Sequence, residues 1–179
     1  MNATLTRYFI IFTIGLFTIG LLGSIGCGGS GDGQAGSSGG SGPMLAKLES
    51  IHPTPEQLGS GWTYATGRRR GVVGGKLINQ VYANKTLGAS SVRLEANRYE
   101  SIDKAKKMYE MNISGIDTPP YSGIGQEARI ENRKSRTKYV LLVFRRANIV
   151  IQVKGQGHDH GPVLRVAEVV DGMIKKNLE

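Results

Sequence analysis

One cysteine, Cys27, stands in the whole chain, and that scarcity removes two common ways of holding a small protein together. No intramolecular disulfide is available. A structural zinc site, which normally takes four ligands, has no spare thiolates to draw on. Nucleotide fingerprints are missing as well. Gly155-Gln156-Gly157 lacks a third glycine at the required spacing, Gly71, Gly74 and Gly75 are followed by no helical pattern, and no Walker-type phosphate loop occurs. From Met44 onward there is no Gly-x-Ser-x-Gly, so no serine is marked as an elbow nucleophile. No internal repeat is present. These gaps point away from disulfide scaffolds, nucleotide enzymes and serine hydrolases.

What the chain does have is positive charge. It carries 23 Lys+Arg against 14 Asp+Glu, a formal net charge of +9. Only Arg7 and Asp32 precede Met44, so 22 of the cations and 13 of the anions, and the whole excess of nine, fall on residues 44–179. A charge of this size attracts anions without naming one.

The first 26 residues look like a targeting signal. Met1–Arg7 bears one basic side chain, an uncharged run from Tyr8 to Leu22 is almost wholly apolar, and small residues Gly23, Ser24 and Gly26 lead to Cys27. A basic start, an apolar stretch and a small-residue cleavage site make an export signal. The ending Ser24-Ile25-Gly26-Cys27 resembles the bacterial lipobox, although Ser24 stands where that family usually has leucine. The resemblance implies cleavage before Cys27 and lipidation of its thiol by diacylglycerol and palmitate-type acyl chains. The alternative is an uncleaved anchor: Tyr8–Ile25 is 18 residues, near the lower limit of ~17–25 for a membrane span. Either reading leaves the remainder attached to a membrane outside the cytoplasm, where nucleic acid is rarely met. In Gram-negative lipoproteins a residue other than Asp after the cysteine usually implies outer-membrane sorting, and Gly28 resembles that pattern; in a Gram-positive cell the anchor lies in the only membrane.

Residues 28–43 are almost entirely glycine and serine and have nothing to pack. Such a linker is a flexible coil whose 16 residues reach roughly 20–25 Å. The expected organisation is therefore a signal peptide over 1–26, a lipidated cysteine with a tether over 27–43, and one globular domain over 44–179.

Within that domain the hydrophobic pattern predicts strands, a helix, strands and a helix. Leu45 and Leu48 suit a short helix or arm over 44–50. Thr54-Pro55-Glu56-Gln57-Leu58 reads as one helical turn with Thr54 as cap. Trp62 and Tyr64 start a first strand, and the glycine-flanked basic run 67–75 reads as an exposed loop or hairpin tip. Strands are expected over 76–86, with Ile78, Gln80 and Tyr82 on one face, and over 91–99, where Val92, Leu94 and Ala96 alternate with polar residues. Ser101 caps a helix reaching Ile113, residues 114–125 form a loop, and 128–131 a short strand. Residues 138–146 and 148–154 make a hairpin across a tight turn, and Pro162 sits in the first turn of a closing helix over 161–178. This order predicts an α+β fold, an antiparallel sheet with helices packed on one face. The element order, with its strand–strand–helix tail, resembles small lipoprotein domains of the Mog1/PsbP-like type; it rests on no motif and implies no functional residue.

Three groups carry candidate chemistry. Arg68, Arg69 and Arg70, with Arg133, Lys134, Arg136 and Lys138, are two basic runs whose guanidinium forks suit phosphate or carboxylate. If they share a face they form an anion-binding surface for lipid head groups, phosphorylated sugars, acidic polysaccharide or an acidic envelope protein; otherwise they are solvated loops. His158 and His160 flank Asp159 and offer two imidazoles to zinc, copper or nickel, with His52 or Glu168 as a third ligand; the plainer reading is a polar loop leading into a helix. Trp62, Tyr64 and Tyr99 line a cleft or join the core. Glu127 and Glu131 act as paired carboxylates only if the backbone brings them together. No cofactor is implied. The sequence thus points to a non-enzymatic, membrane-tethered binding module, with a metal-binding lipoprotein or an enzyme with an unrecognised site as alternatives.

Overall fold

The computed structural model describes residues 42–65, 71–73, 77–134, 137–157 and 159–178. The elements are a 3-10 turn Leu48–Ile51, α1 (Pro55–Leu58), β1 (Trp62–Tyr64), β2 (Gly71–Val73), β3 (Leu77–Asn84), β4 (Ala89–Arg98), α2 (Ile102–Ile113), β5 (Glu127–Lys134), β6 (Lys138–Arg146), β7 (Ile149–Gln156) and α3 (Gly161–Leu178). The fold is α+β, as the pattern predicts. A seven-stranded sheet runs β1-β3-β4-β7-β6-β5, with β2 also paired to β3. Every pairing is antiparallel.

Both long helices start where their caps dictate. The Ser101 hydroxyl accepts from the Lys104 amide at 3.1 Å at the head of α2. Asp159 Oδ1 accepts from the Gly161 amide at 2.8 Å at the head of α3. Each bond satisfies one of the amides that a helix N-terminus leaves without an internal partner.

The helices cover both faces of the sheet, not one. Val140, Leu142 and Phe144 of β6 and Ile149, Ile151 and Val153 of β7 join α3, the 3-10 turn and α1 in the larger core. Val143 and Val150 point the other way and pack with Ala105 and Tyr109 of α2. Successive strand residues alternate faces, so the unbroken apolar runs of β6 and β7 require cover on both sides. β4, by contrast, buries Val92, Leu94 and Ala96 on the α3 side, while Arg93 and Glu95 pair with each other on the opposite side at 3.6 Å.

Two segments differ from expectation. The stretch 67–75 contains a strand: Gly71–Val73 pairs with Leu77–Asn79. Paired Val72 and Val73 favour extended backbone, which the surrounding glycines and arginines disguise. β5 runs over eight residues where only four are expected. As an edge strand it buries little beyond Ala128, so its pattern is mostly polar, yet it pairs with β6 along its full length.

Gly155 sets the fit of α3 on the sheet. A Cβ there would lie 2.6 Å from Val163 Cγ2, well inside contact distance. Gly155→Ala is therefore expected to cost about 1–3 kcal/mol through overpacking. Gly172, exposed on α3 with no atom within 4 Å of an added Cβ, should instead gain up to about 1 kcal/mol as alanine, from helix propensity. Thermal unfolding of the two variants checks this; midpoints that move in the same direction would contradict the packing described.

Candidate functional site

Among the described residues, those singled out in the sequence are not gathered at one site. Arg68, Arg69, Arg70, Arg136 and His158 lie outside the described residues, as do Cys27 and the apolar run Tyr8–Ile25. Among the described residues no helix is long and apolar enough to cross a membrane. Lys134 pairs with Lys138 across the β5–β6 ladder. Arg133 is already engaged, donating from Nε to Glu131 at 3.1 Å and from Nη2 to the Gly115 carbonyl at 3.4 Å.

His160 Nε2 lies 3.0 Å from Asn132 Oδ1 on β5. His52 is buried beside Gln80 of β3, its Nε2 3.4 Å from Gln80 Oε1. β3 and β5 are four strand positions apart, roughly 19 Å at the usual spacing, so His52 cannot complete a site with His160. Glu168 is exposed two helical turns further along α3. Among the described residues no group of three or more His, Cys, Asp or Glu side chains is placed to hold a metal.

The aromatics divide. Trp62 is buried and meets Tyr82 edge-on, ring centres 6.4 Å apart. Tyr64 remains 44% exposed, and Tyr99 packs in the α2-side core. Glu127 and Glu131, four residues apart on β5, are separated by roughly 13 Å of strand. Each serves a different arginine, Arg145 and Arg133. They are not an acid–base pair.

The structure assembles a different basic site, at the end of the sheet where β6 turns into β7. Arg145 and Arg146 are consecutive, so their side chains leave β6 on opposite faces. Arg145 reaches Glu127 through Nε at 2.7 Å, and its Nη1 donates to Gln126 Oε1 at 3.0 Å and to the Ala147 carbonyl at 2.9 Å. Arg146 grips Asp171 of α3 with Nε and, at 3.1 Å, with Nη2, which also donates to the Gly125 carbonyl at 2.8 Å. Lys175, one turn along α3, reaches the same carboxylate at 3.0 Å. Gly125 has φ 68°, and a Cβ there would meet the Arg145 carbonyl oxygen at 2.8 Å. Only glycine allows that close approach.

The turn itself is fixed from outside. Ala147 has φ 50°, an uncommon conformation for a residue with a side chain. Its amide donates to Gln126 Oε1 at 3.0 Å. Asn148 Oδ1 accepts from the Leu45 amide at 2.8 Å, and Nδ2 donates to the carbonyls of Leu45 and Tyr99 at 3.3 and 2.8 Å. The turn thereby holds the incoming chain at Leu45 and the end of β4.

Around this turn opens a cavity of about 470 Å³, walled by Lys106 and Ile102 at the start of α2, by Arg145, Arg146 and Gln126, by Lys175 and Leu178 at the end of α3, and by Gly42 and Pro43. Four wall residues are cationic and none is acidic. The carboxylates behind it, Glu127 and Asp171, neutralise two of the four. Two other cavities hold opposed charges in their walls: Glu110 and Glu127 with Arg129 in one, Arg98 with Glu100 in the other.

Lys106, Arg145, Arg146 and Lys175 lie on three separate elements of the sequence and form no contiguous basic run. The available signal was the Arg-Arg pair closing an apolar strand just before a tight turn. Such a pair must place one guanidinium on each face of the sheet. No protein-family model, curated protein or solved structure matches the chain.

Burial opposes ionisation of Asp171, but the hydrogen bonds from Arg146 and Lys175 outweigh it and hold the carboxyl below its ordinary range. Its stabilisation is therefore complete above the unfolded-state value of ~4 and is lost as pH falls through the lower folded value. Asp171→Asn leaves Arg146 without its buried partner and should lose about 3–5 kcal/mol at neutral pH. Urea unfolding across a pH series reads the outcome: the gap to wild type closes only in strong acid, and a gap that widened on acidification would disprove this role.

Proposed function

We propose that this chain is a membrane-tethered envelope lipoprotein, exported and lipid-anchored through Cys27, whose domain is a non-enzymatic module binding an anionic partner. The observation that carries the reading is the cavity walled by Lys106, Arg145, Arg146 and Lys175 with no acidic wall residue. Its wall also offers no imidazole, hydroxyl or thiol. That is a poor set for proton transfer or nucleophilic attack and a good one for holding negative charge. The net charge of +9 adds long-range attraction of anions to the domain. The Ser24–Cys27 lipobox resemblance and the glycine-rich tether support attachment to the membrane. Two acyl chains suffice for stable anchoring.

Two measurements test the parts separately. Protein purified from membranes should have a mass lacking residues 1–26 and carrying acyl groups, and a Cys27→Ala chain should lack both changes; an unmodified full-length mass would replace the lipid anchor with an uncleaved span. For binding, retention on an immobilised polyanion should fall with salt. Lys106→Glu should lower it more than Lys85→Glu, which makes the same charge change at the β3–β4 turn, the opposite end of the sheet. Equal effects would reduce the binding to net charge and remove the cavity from it.

A further inference from the structure

We propose that the basic cavity at the β6–β7 turn takes the phosphate of a lipid headgroup in the membrane to which the domain is tethered; this rests on the reading above. Four features support it. The cations approach from both sides of the sheet, Lys106 from the α2 side and Arg146 with Lys175 from the α3 side, while Arg145 closes the end. A planar carboxylate is satisfied by one guanidinium fork, whereas a tetrahedral phosphate offers oxygens in several directions and uses converging donors.

The donors are also held in place before any ligand arrives. Nε and Nη1 of Arg145 are committed to Glu127, Gln126 and the Ala147 carbonyl. This fixes the plane of a side chain only 4% exposed and leaves Nη2 with no acceptor among the described residues. Arg146 is fixed in the same way through Nε and Nη2. Lys106 is exposed and forms no ion pair among the described residues.

The wall is also amphiphilic. Ile102, Leu178 and Pro43 lie beside the cations, so a phosphate carrying an apolar body fits it better than a free ion. The volume of about 470 Å³ exceeds what a bare phosphate fills and lies within the range of ~300–1,000 Å³ typical of small-molecule sites.

Position supplies the last argument. Gly42 and Pro43, the first described residues, form part of the rim. Fourteen residues, mostly glycine and serine, stand between Cys27 and Gly42, and a chain of that composition spans roughly 20 Å. A site held that close to a membrane surface meets headgroups at an effective concentration in the ~mM range, as for two modules on a short flexible linker. Weak intrinsic affinity therefore suffices for occupancy.

The test uses the full chain purified in a maltoside detergent, which is free of phosphate. Dioleoyl phosphatidylglycerol is titrated into the micelles, with oleate as an anionic lipid without phosphate and glycerol 1-phosphate as the free headgroup. Binding is followed calorimetrically and by hydrogen exchange at the Ala147 amide and the last turn of α3. Phosphatidylglycerol should bind saturably and slow exchange at both places. Lys106→Ala and Lys175→Gln should each weaken it roughly tenfold, and Lys106→Arg should recover most of the loss. Equal binding of oleate, or affinity unchanged in Lys106→Ala, overturns the phosphate site; glycerol 1-phosphate binding as tightly as the lipid overturns the lipid source. The Cys27→Ala chain in the same micelles keeps the cavity, so its phosphatidylglycerol affinity reports on the site whether or not the anchor reading holds.

Discussion

Asp171 is a carboxylate on the inward side of the longest helix, almost wholly buried, and a charge in that position is tolerable only with partners built around it. Arg146 supplies the main one and Lys175 the other. The pairing fixes how α3 lies on β6, and with it the height at which Val163, Val166, Val170 and Ile174 enter the larger core. It also determines where Arg146 cannot point. With Nε and Nη2 turned toward Asp171 and the Gly125 carbonyl, the guanidinium stays at the sheet's end, where the cationic cavity opens.

The same economy appears across the turn. Gln126 Oε1 serves both Arg145 and the Ala147 amide, and the Asn148 amide group serves Leu45 twice and Tyr99 once. These side chains satisfy backbone groups that would otherwise be buried without partners, a cost of about 1–3 kcal/mol each. The tight turn is therefore not an isolated local motif. It is the place where the incoming chain, the end of β4, the start of β5 and the end of α3 are brought to one point.

Most of the fold was legible in the sequence because its signals are local. The Ser101 cap, the spacing of Val163 to Leu178 and the β-branched runs of β6 and β7 each lie within one short window, and the α+β class follows from their order. The two-sided cover of the sheet was implicit in those same runs, since Val143 and Val150 have no reason to be apolar on a solvent face. β2 and the length of β5 were hidden because edge strands bury little and carry polar residues. The cavity was hidden for a different reason. Lys106, Arg145 and Lys175 are separated by tens of residues, and only the return of β7 beside β4 gathers them. Contiguous basic runs such as Arg133–Arg136 attract notice, yet Arg133 proves to be occupied by its own strand neighbour Glu131.

The Asn148 clamp on Leu45 has a mechanical meaning. A pull transmitted from residues before Gly42 reaches the fold first at Leu45, whose amide and carbonyl are both bonded to one side chain. Asn148 stands at the head of β7, an interior strand paired with β4 over Ile149–Gly155 and with β6 over Ile149–Gln156. Load therefore enters at an interior strand bonded to a neighbour on each side, and not at an edge strand held by one ladder alone.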